Sequence, residues 1–177
     1  DQHHVGSIRV ADDDAERELL WKGRKSAFGA IARIQPNYYL HDTVVPRSKL
    51  PDVLAQVYEI ADRHDLQVLN VFHAGEGNMH PLLVFDARIP GNTELVHQDG
   101  EEIVRASVES GGVLSGEHGI GLEKRDYMSM MFSDVDLEAQ DTLRRAFDPE
   151  GLANPGKVLP SPATCGDIHS VPEGAWI

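Results

Sequence analysis

One cysteine, Cys165, stands in 177 residues, which excludes an internal disulfide framework and a thiolate metal cluster. The plainer reading of that thiol is an incidental side chain in a loose tail. Basic residues are scarce as well: 16 Lys plus Arg against 29 Asp plus Glu, a net charge of -13. A surface of that sign repels phosphate backbones and anionic lipid headgroups, so neither nucleic acid nor a membrane surface is an expected partner. Long apolar runs are lacking, each falling far short of a bilayer span, and no charged-then-apolar leader is visible. The reading is a cytoplasmic protein with no membrane insertion. The chain also lacks an initiator Met and enters a strand-like stretch, Val5–Val10, directly, as an excised piece of a longer protein would.

What is present suffices for a core, since 41% of the residues are hydrophobic and the length suits one domain or one and a half. Asp12, Asp13 and Asp14 offer caps for a helix from Ala15 to Arg33, with Leu19, Leu20, Ala27, Ile31 and Ile34 near helical spacing. Pro36-Asn37 ends it, and Tyr38 to Val45 reads as a strand. Ser48 is placed to cap a second helix, whose face carries Leu50, Val53, Leu54, Val57, Ile60 and Ala61. Two strands, Leu66–Phe72 and Pro81–Phe85, flank a connection with two glycines and form the firmest predicted pairing. A helix from Asn92 to Glu109 stops at Gly111-Gly112. A last helix, capped by Ser133 or Asp134, runs through Leu137, Leu143 and Phe147 to Asp148-Pro149. Beyond Asn154-Pro155-Gly156 only tail is read, with Trp176 a candidate anchor. The order predicts an α+β fold, an antiparallel sheet with helices packed on one face.

Two clusters could carry chemistry. His73 and His80, seven positions apart across one tight connection, can converge at the same sheet edge if the strands pair. Two neutral imidazoles and one carboxylate make a site for a divalent ion that leaves positions open for water or substrate. Glu117 is the preferred carboxylate, and Glu76 competes by nearness in sequence. The alternative is that both histidines merely cap strand ends. The second cluster is Ser115-Gly116-Glu117-His118-Gly119-Ile120-Gly121, an acid and a base between glycines that permit close backbone approach. In an extended segment Glu117 and His118 would point to opposite sides, one toward a metal and the other toward a substrate. His118 suits proton transfer near neutrality; a solvated turn is the rival reading. Arg24, Lys25 and Lys124-Arg125 could grip a carboxylate, or simply pair on the surface. Asn154-Pro155-Gly156-Lys157 alone is a turn signal.

The motifs Leu20 to Lys25, Asp42 to Arg47, His73 to His80, Ser115 to Gly121, and Phe147 to Pro149 through Asn154 to Lys157 occur in that order. In this the chain resembles FAD-linked 2-hydroxy-acid oxidases of the vanillyl-alcohol oxidase superfamily, of the glycolate oxidase and D-lactate dehydrogenase type. The resemblance implies a carboxyl-terminal part: residues 1–122 as an incomplete, ferredoxin-like cap over the substrate, and 123–177 as a helical segment and tail that pack on a separate FAD domain. It implies oxidation of glycolate or D-lactate to the 2-oxo acid with hydride transfer to FAD. A divalent metal, zinc foremost with manganese or iron as alternatives, would sit on His73, His80 and Glu117. His118 would be the base and Arg24 the carboxylate grip, with Asn154, Gly116 and Glu117 on the cofactor side. Accessory flavin and iron–sulfur subunits are implied partners. Relatives acting on longer dicarboxylic hydroxy acids carry lysine where Leu40 stands and asparagine where Leu82 stands, so those two residues favour a small monocarboxylate. A metal-dependent hydrolase and a non-catalytic interaction module remain the rival classes.

Overall fold

The structure, a computed structural model, describes residues 6–160. Its elements are α1 (Asp14–Ile31), β1 (Asn37–Leu40), β2 (Thr43–Val44), α2 (Leu50–Asp62), β3 (Gln67–His73), β4 (Asn78–Phe85), α3 (Asn92–Glu109) and α4 (Asp134–Phe147). Cys165 and Trp176 lie outside the described residues. No helix among the described residues is long and apolar enough to cross a membrane.

The fold is α+β. Strand β4 is central and antiparallel to its neighbours, with β3 on one side and β1 and β2 on the other. The strand β1/β2, helix α2, hairpin β3–β4 and helix α3 together follow the βαββα order of a ferredoxin-like unit. The partners of β1 and β2 on β4 fall in one continuous register, Asn37↔Phe85 through Val44↔Asn78. The predicted strand Tyr38–Val45 is therefore one strand that loses its ladder at His41-Asp42. Pro81 explains the break: His41 donates its N–H to the Pro81 carbonyl at 2.9 Å, but proline has no N–H to return.

Because side chains alternate along a strand, the sheet sorts its residues between two faces. Tyr39, Val68, Phe72, Met79, Leu83 and Phe85 lie under α2 and α3, packed with Val53, Val57, Ile60, Val96, Ile103 and Ala106. Six of the buried members of this layer, Val53, Val57, Met79, Leu83, Ile103 and Val96, are at most 1% exposed. The opposite face has an apolar half, where Leu40, Leu69, Val71, Leu82 and Val84 meet Ile31 of α1. Its other half carries His73, Asn78 and His80.

Four sequence expectations are corrected. Residues 6–10 form no strand. Ser48 does not cap α2; it lies in a 3₁₀ turn, Arg47–Lys49, that runs straight into the helix with Pro51 in the first turn, where a missing N–H costs nothing. Helix α1 is capped by Asp13, which accepts the Glu16 N–H at 2.8 Å, but of its apolar positions only Ile31 is buried, and Leu19, Trp21 and Phe28 are exposed. Finally, β4 begins at Asn78, so His73 and His80 lie within the paired strands and the connection shrinks to residues 74–77. Gly77 takes positive φ there (77°), and a side chain on it would strike the Val45 carbonyl.

Candidate functional site

Hairpin register places the two histidines. His73 faces Asn78 and Val71 faces His80, so the imidazoles form a diagonal pair on one face, within reach of large side chains. Their ring centroids are 5.4 Å apart and perpendicular. His80 is the buried floor of the site, 4% exposed at its side chain, whereas His73, Glu117 and His118 are each about half exposed. Burial pushes the His80 pKa below the usual imidazole range, against the opposing pull of the Asp42 and Glu117 charges. The ring is thus neutral near pH 7 and keeps a lone pair.

Glu117 arrives from the loop after α3. Its Oε1 lies 2.8 Å from His80 Nε2 and 3.4 Å from His73 Nε2. These three residues each offer one ligand atom, all within 4.8 Å of one another, an arrangement that could hold a cation. Glu76 stays in the exposed turn between the strands, its N–H bonded to the His73 carbonyl. His118 stacks on His80 with centroids 5.1 Å apart, and its Nε2 is 4.0 Å from Glu117 Oε1. The expectation that Glu117 and His118 point to opposite sides is therefore corrected. The loop is curled, not extended, so both side chains converge on His80.

Asp42 lies inside the curl, and sequence reasoning assigned it no role. Its Oδ2 accepts the Ser115 hydroxyl at 2.6 Å and the N–H groups of Gly116, Glu117 and His118 at 3.0, 3.0 and 2.9 Å. Burial pushes the Asp42 carboxyl up, but these bonds and the Lys124 charge outweigh it and hold the pKa well below the carboxylate range. Lys124, 3% exposed, donates its ammonium to the carbonyls of Asp42 and Leu114. Gly116 fits because Val44 and Asn78 leave no room for a Cβ. The signal for Asp42 was an acid within an apolar strand and a loop rich in free N–H groups.

Arg24 is exposed on α1, with no side-chain partner among the described residues. Asn154 sits at positive φ (47°) in a loop tied to α4: Arg144 donates to the carbonyls of Ala153, Asn154 and Lys157, and Lys157 Nζ lies 3.3 Å from Asn154 Oδ1. The contacts of Asn154 thus run to the carboxyl-terminal segment rather than to the histidine cluster. Leu40 and Leu82 are direct cross-strand partners beside it; Leu82 is fully buried under Ile31.

Residues 1–158 match the family model described as FAD linked oxidases, C-terminal domain. The chain is 46% identical over 164 residues to the glycolate oxidase subunit GlcD of Escherichia coli (strain K12), covering 93% of this chain and 33% of that protein. It is 36% identical over 153 residues to the same-named subunit of Bacillus subtilis (strain 168), covering 86% and 33%. It is 33% identical over 151 residues to a probable mitochondrial D-lactate dehydrogenase of Danio rerio, covering 84% and 30%. The chain spans about a third of the length of these relatives. A curled loop that sets an acid and a base against a paired-strand histidine is thus found in a chain that belongs to the FAD-linked oxidases and carries their C-terminal domain.

Proposed function

We propose that the chain is the substrate-side part of an FAD-dependent 2-hydroxy-acid oxidoreductase that converts glycolate or D-lactate to the 2-oxo acid. The observation that carries the reading is the convergence of His73, His80 and Glu117, ligand atoms within 4.8 Å, beside the base candidate His118. The likeness to glycolate oxidase subunits and a D-lactate dehydrogenase supports the substrate class.

The donor set fits a divalent metal, zinc foremost: two imidazoles, one of them kept neutral by burial, and a carboxylate make a three-ligand set with positions left open. When bound, the metal would polarise the substrate hydroxyl as a Lewis acid, and FAD would accept the α-hydride. The chain supplies position and proton handling. His118, stacked on His80, takes the hydroxyl proton at a ring nitrogen as the hydride leaves, so the carbon is oxidised by two electrons and becomes the 2-oxo carbon. Arg24 offers a guanidinium to the substrate carboxylate. In this reading Asn154, Gly116 and Glu117 belong to the cofactor side. Leu40 and Leu82 give the neighbouring sheet face no polar group for a second carboxylate, which supports a small monocarboxylate. An amino-terminal FAD domain and accessory flavin and iron–sulfur subunits complete the proposal.

The test has two arms. Zn²⁺ titration of this chain by calorimetry should give one site, lost in His80→Ala; equal binding by both removes the metal from the proposal. In the FAD-loaded full-length enzyme, His118→Ala should lower turnover on glycolate or D-lactate by about 10²–10⁴, and unchanged turnover rules out His118 as the base.

A further inference from the structure

We propose that Asp42 is the positioning residue of this site: its buried carboxylate folds the Ser115–His118 loop so that Glu117 and His118 stand against His80. Register puts Asp42 there. Continuing the β1–β4 pairing sets Asp42 opposite His80 and on the same face, and Pro81, by breaking the ladder, frees the strand at that point. Asp42 is wholly buried, yet one oxygen, Oδ2, takes a hydroxyl and three successive backbone N–H groups. Its other oxygen has no partner among the described residues, so the polar contacts of the carboxylate go to the loop.

Among the described residues, no second side chain takes the N–H groups of Gly116, Glu117 and His118. Ser115 Oγ donates to Asp42 and accepts from the Gly119 N–H at 2.7 Å, which closes the turn on the same carboxylate. Lys124 fastens the carbonyls on either side, at Asp42 and Leu114, and its ammonium stands 3.9 Å from Oδ2. Convergent N–H groups form a nest that attracts an anion. Here the nest is filled by the protein's own aspartate, so its role is to orient two side chains rather than to bind an external anion. A neutral amide would serve poorly, since charge-assisted hydrogen bonds are about twice as strong as neutral ones.

The experiment compares this chain with Asp42→Asn, Glu117→Gln and the double variant, by amide hydrogen exchange and Zn²⁺ titration. Asp42→Asn should speed exchange at Gly116, Glu117 and His118 roughly tenfold or more, while amides of α2, α3 and β4 keep their rates. It should weaken Zn²⁺ binding by about 10–100-fold, the usual effect of removing a group that orients a ligand. In the Glu117→Gln background the same change should have little further effect, because Asp42 acts through Glu117. A uniform loss in both backgrounds would make Asp42 a general structural residue and overturn the proposal, as would unchanged exchange at the three amides. Should Asp42→Asn fail to fold, Ser115→Ala removes one donor of the same set and should move both readouts in the same direction, less strongly. The Zn²⁺ readout rests on the metal reading above: a wild-type chain that takes up no Zn²⁺ sinks that reading, and the exchange rates still decide on Asp42.

Discussion

Gly116 lies so close to Asn78 that a methyl group on its Cα would stand 2.9 Å from Asn78 Nδ2 and 2.6 Å from Val44 Cγ2. Asn78 opens β4 and pairs with both Val44 and His73, so this contact wedges the loop after α3 against the end of the sheet that holds the histidines.

Gly116→Ala should therefore push the loop away from the sheet. Overpacking of this kind costs about 1–3 kcal/mol, because both neighbours sit in a paired ladder and cannot retreat freely. A thermal melt should show the loss, together with faster exchange at Glu117 and His118. An alanine variant with wild-type stability and exchange would mean that the loop carries no such constraint.

His41 gives the chain a specific acid sensitivity. The ring is fully buried, and burial, reinforced by Lys124 and His97, pushes its pKa down to about 3. The folded protein therefore keeps the ring neutral while the unfolded chain protonates it below about 6.5. Unfolded chains bind the extra proton, so stability falls as pH drops from about 6.5 toward 3, by about 1.4 kcal/mol per pH unit once well below the upper value. His41→Phe, a ring of similar size without a titrating group, should flatten this slope. Urea unfolding between pH 6.5 and 4.5 measures it, and identical slopes would rule out His41 as the source.

Arg144 should govern the local stability of the loop that bears Asn154. Its guanidinium holds three carbonyls, of Ala153, Asn154 and Lys157, at 2.6–2.7 Å, while the Asp148 carboxylate holds the N–H groups of Leu152 and Ala153. Arg144→Ala removes about 1–3 kcal/mol of local hydrogen bonding without touching the sheet. Trypsin cleavage after Lys157 should accelerate by at least about tenfold, with the melting of the α2–α3–sheet layer unchanged. Unaltered cleavage would show that the loop is held by other contacts.

Much of this was legible in advance, for reasons particular residues make clear. The periodicity of Val53, Val57, Ile60 and Ala61 marks a helix with one buried face, and the glycine-bearing turn between two β-branched runs marks the hairpin. The chemistry of ligand sets groups His73 and His80 with Glu117, and the fold brings these three side chains together. The misreadings share a cause. Leu19, Leu20, Ala27, Ile31 and Ile34 fall near helical spacing, but spacing does not say whether a surface exists for them to cover, and only Ile31 finds one. Ser48 has the right chemistry for a cap, but the chain enters α2 through a 3₁₀ turn that leaves its hydroxyl out of the capping position.

The sequence alone determined the local chemistry: which segments are helices and strands, where imidazoles and carboxylates occur, and that five motifs in one order resemble a flavin-linked family. Those follow from short-range propensity and side-chain type, which each stretch carries with it. Only the tertiary structure decided that Asp42, 75 positions before Glu117, accepts the hydrogen bonds of the loop that bears it, and that Glu117 and His118 lean the same way. Such a choice depends on strand register and on which buried oxygen meets which N–H, and those are set by distant parts of the chain packing together.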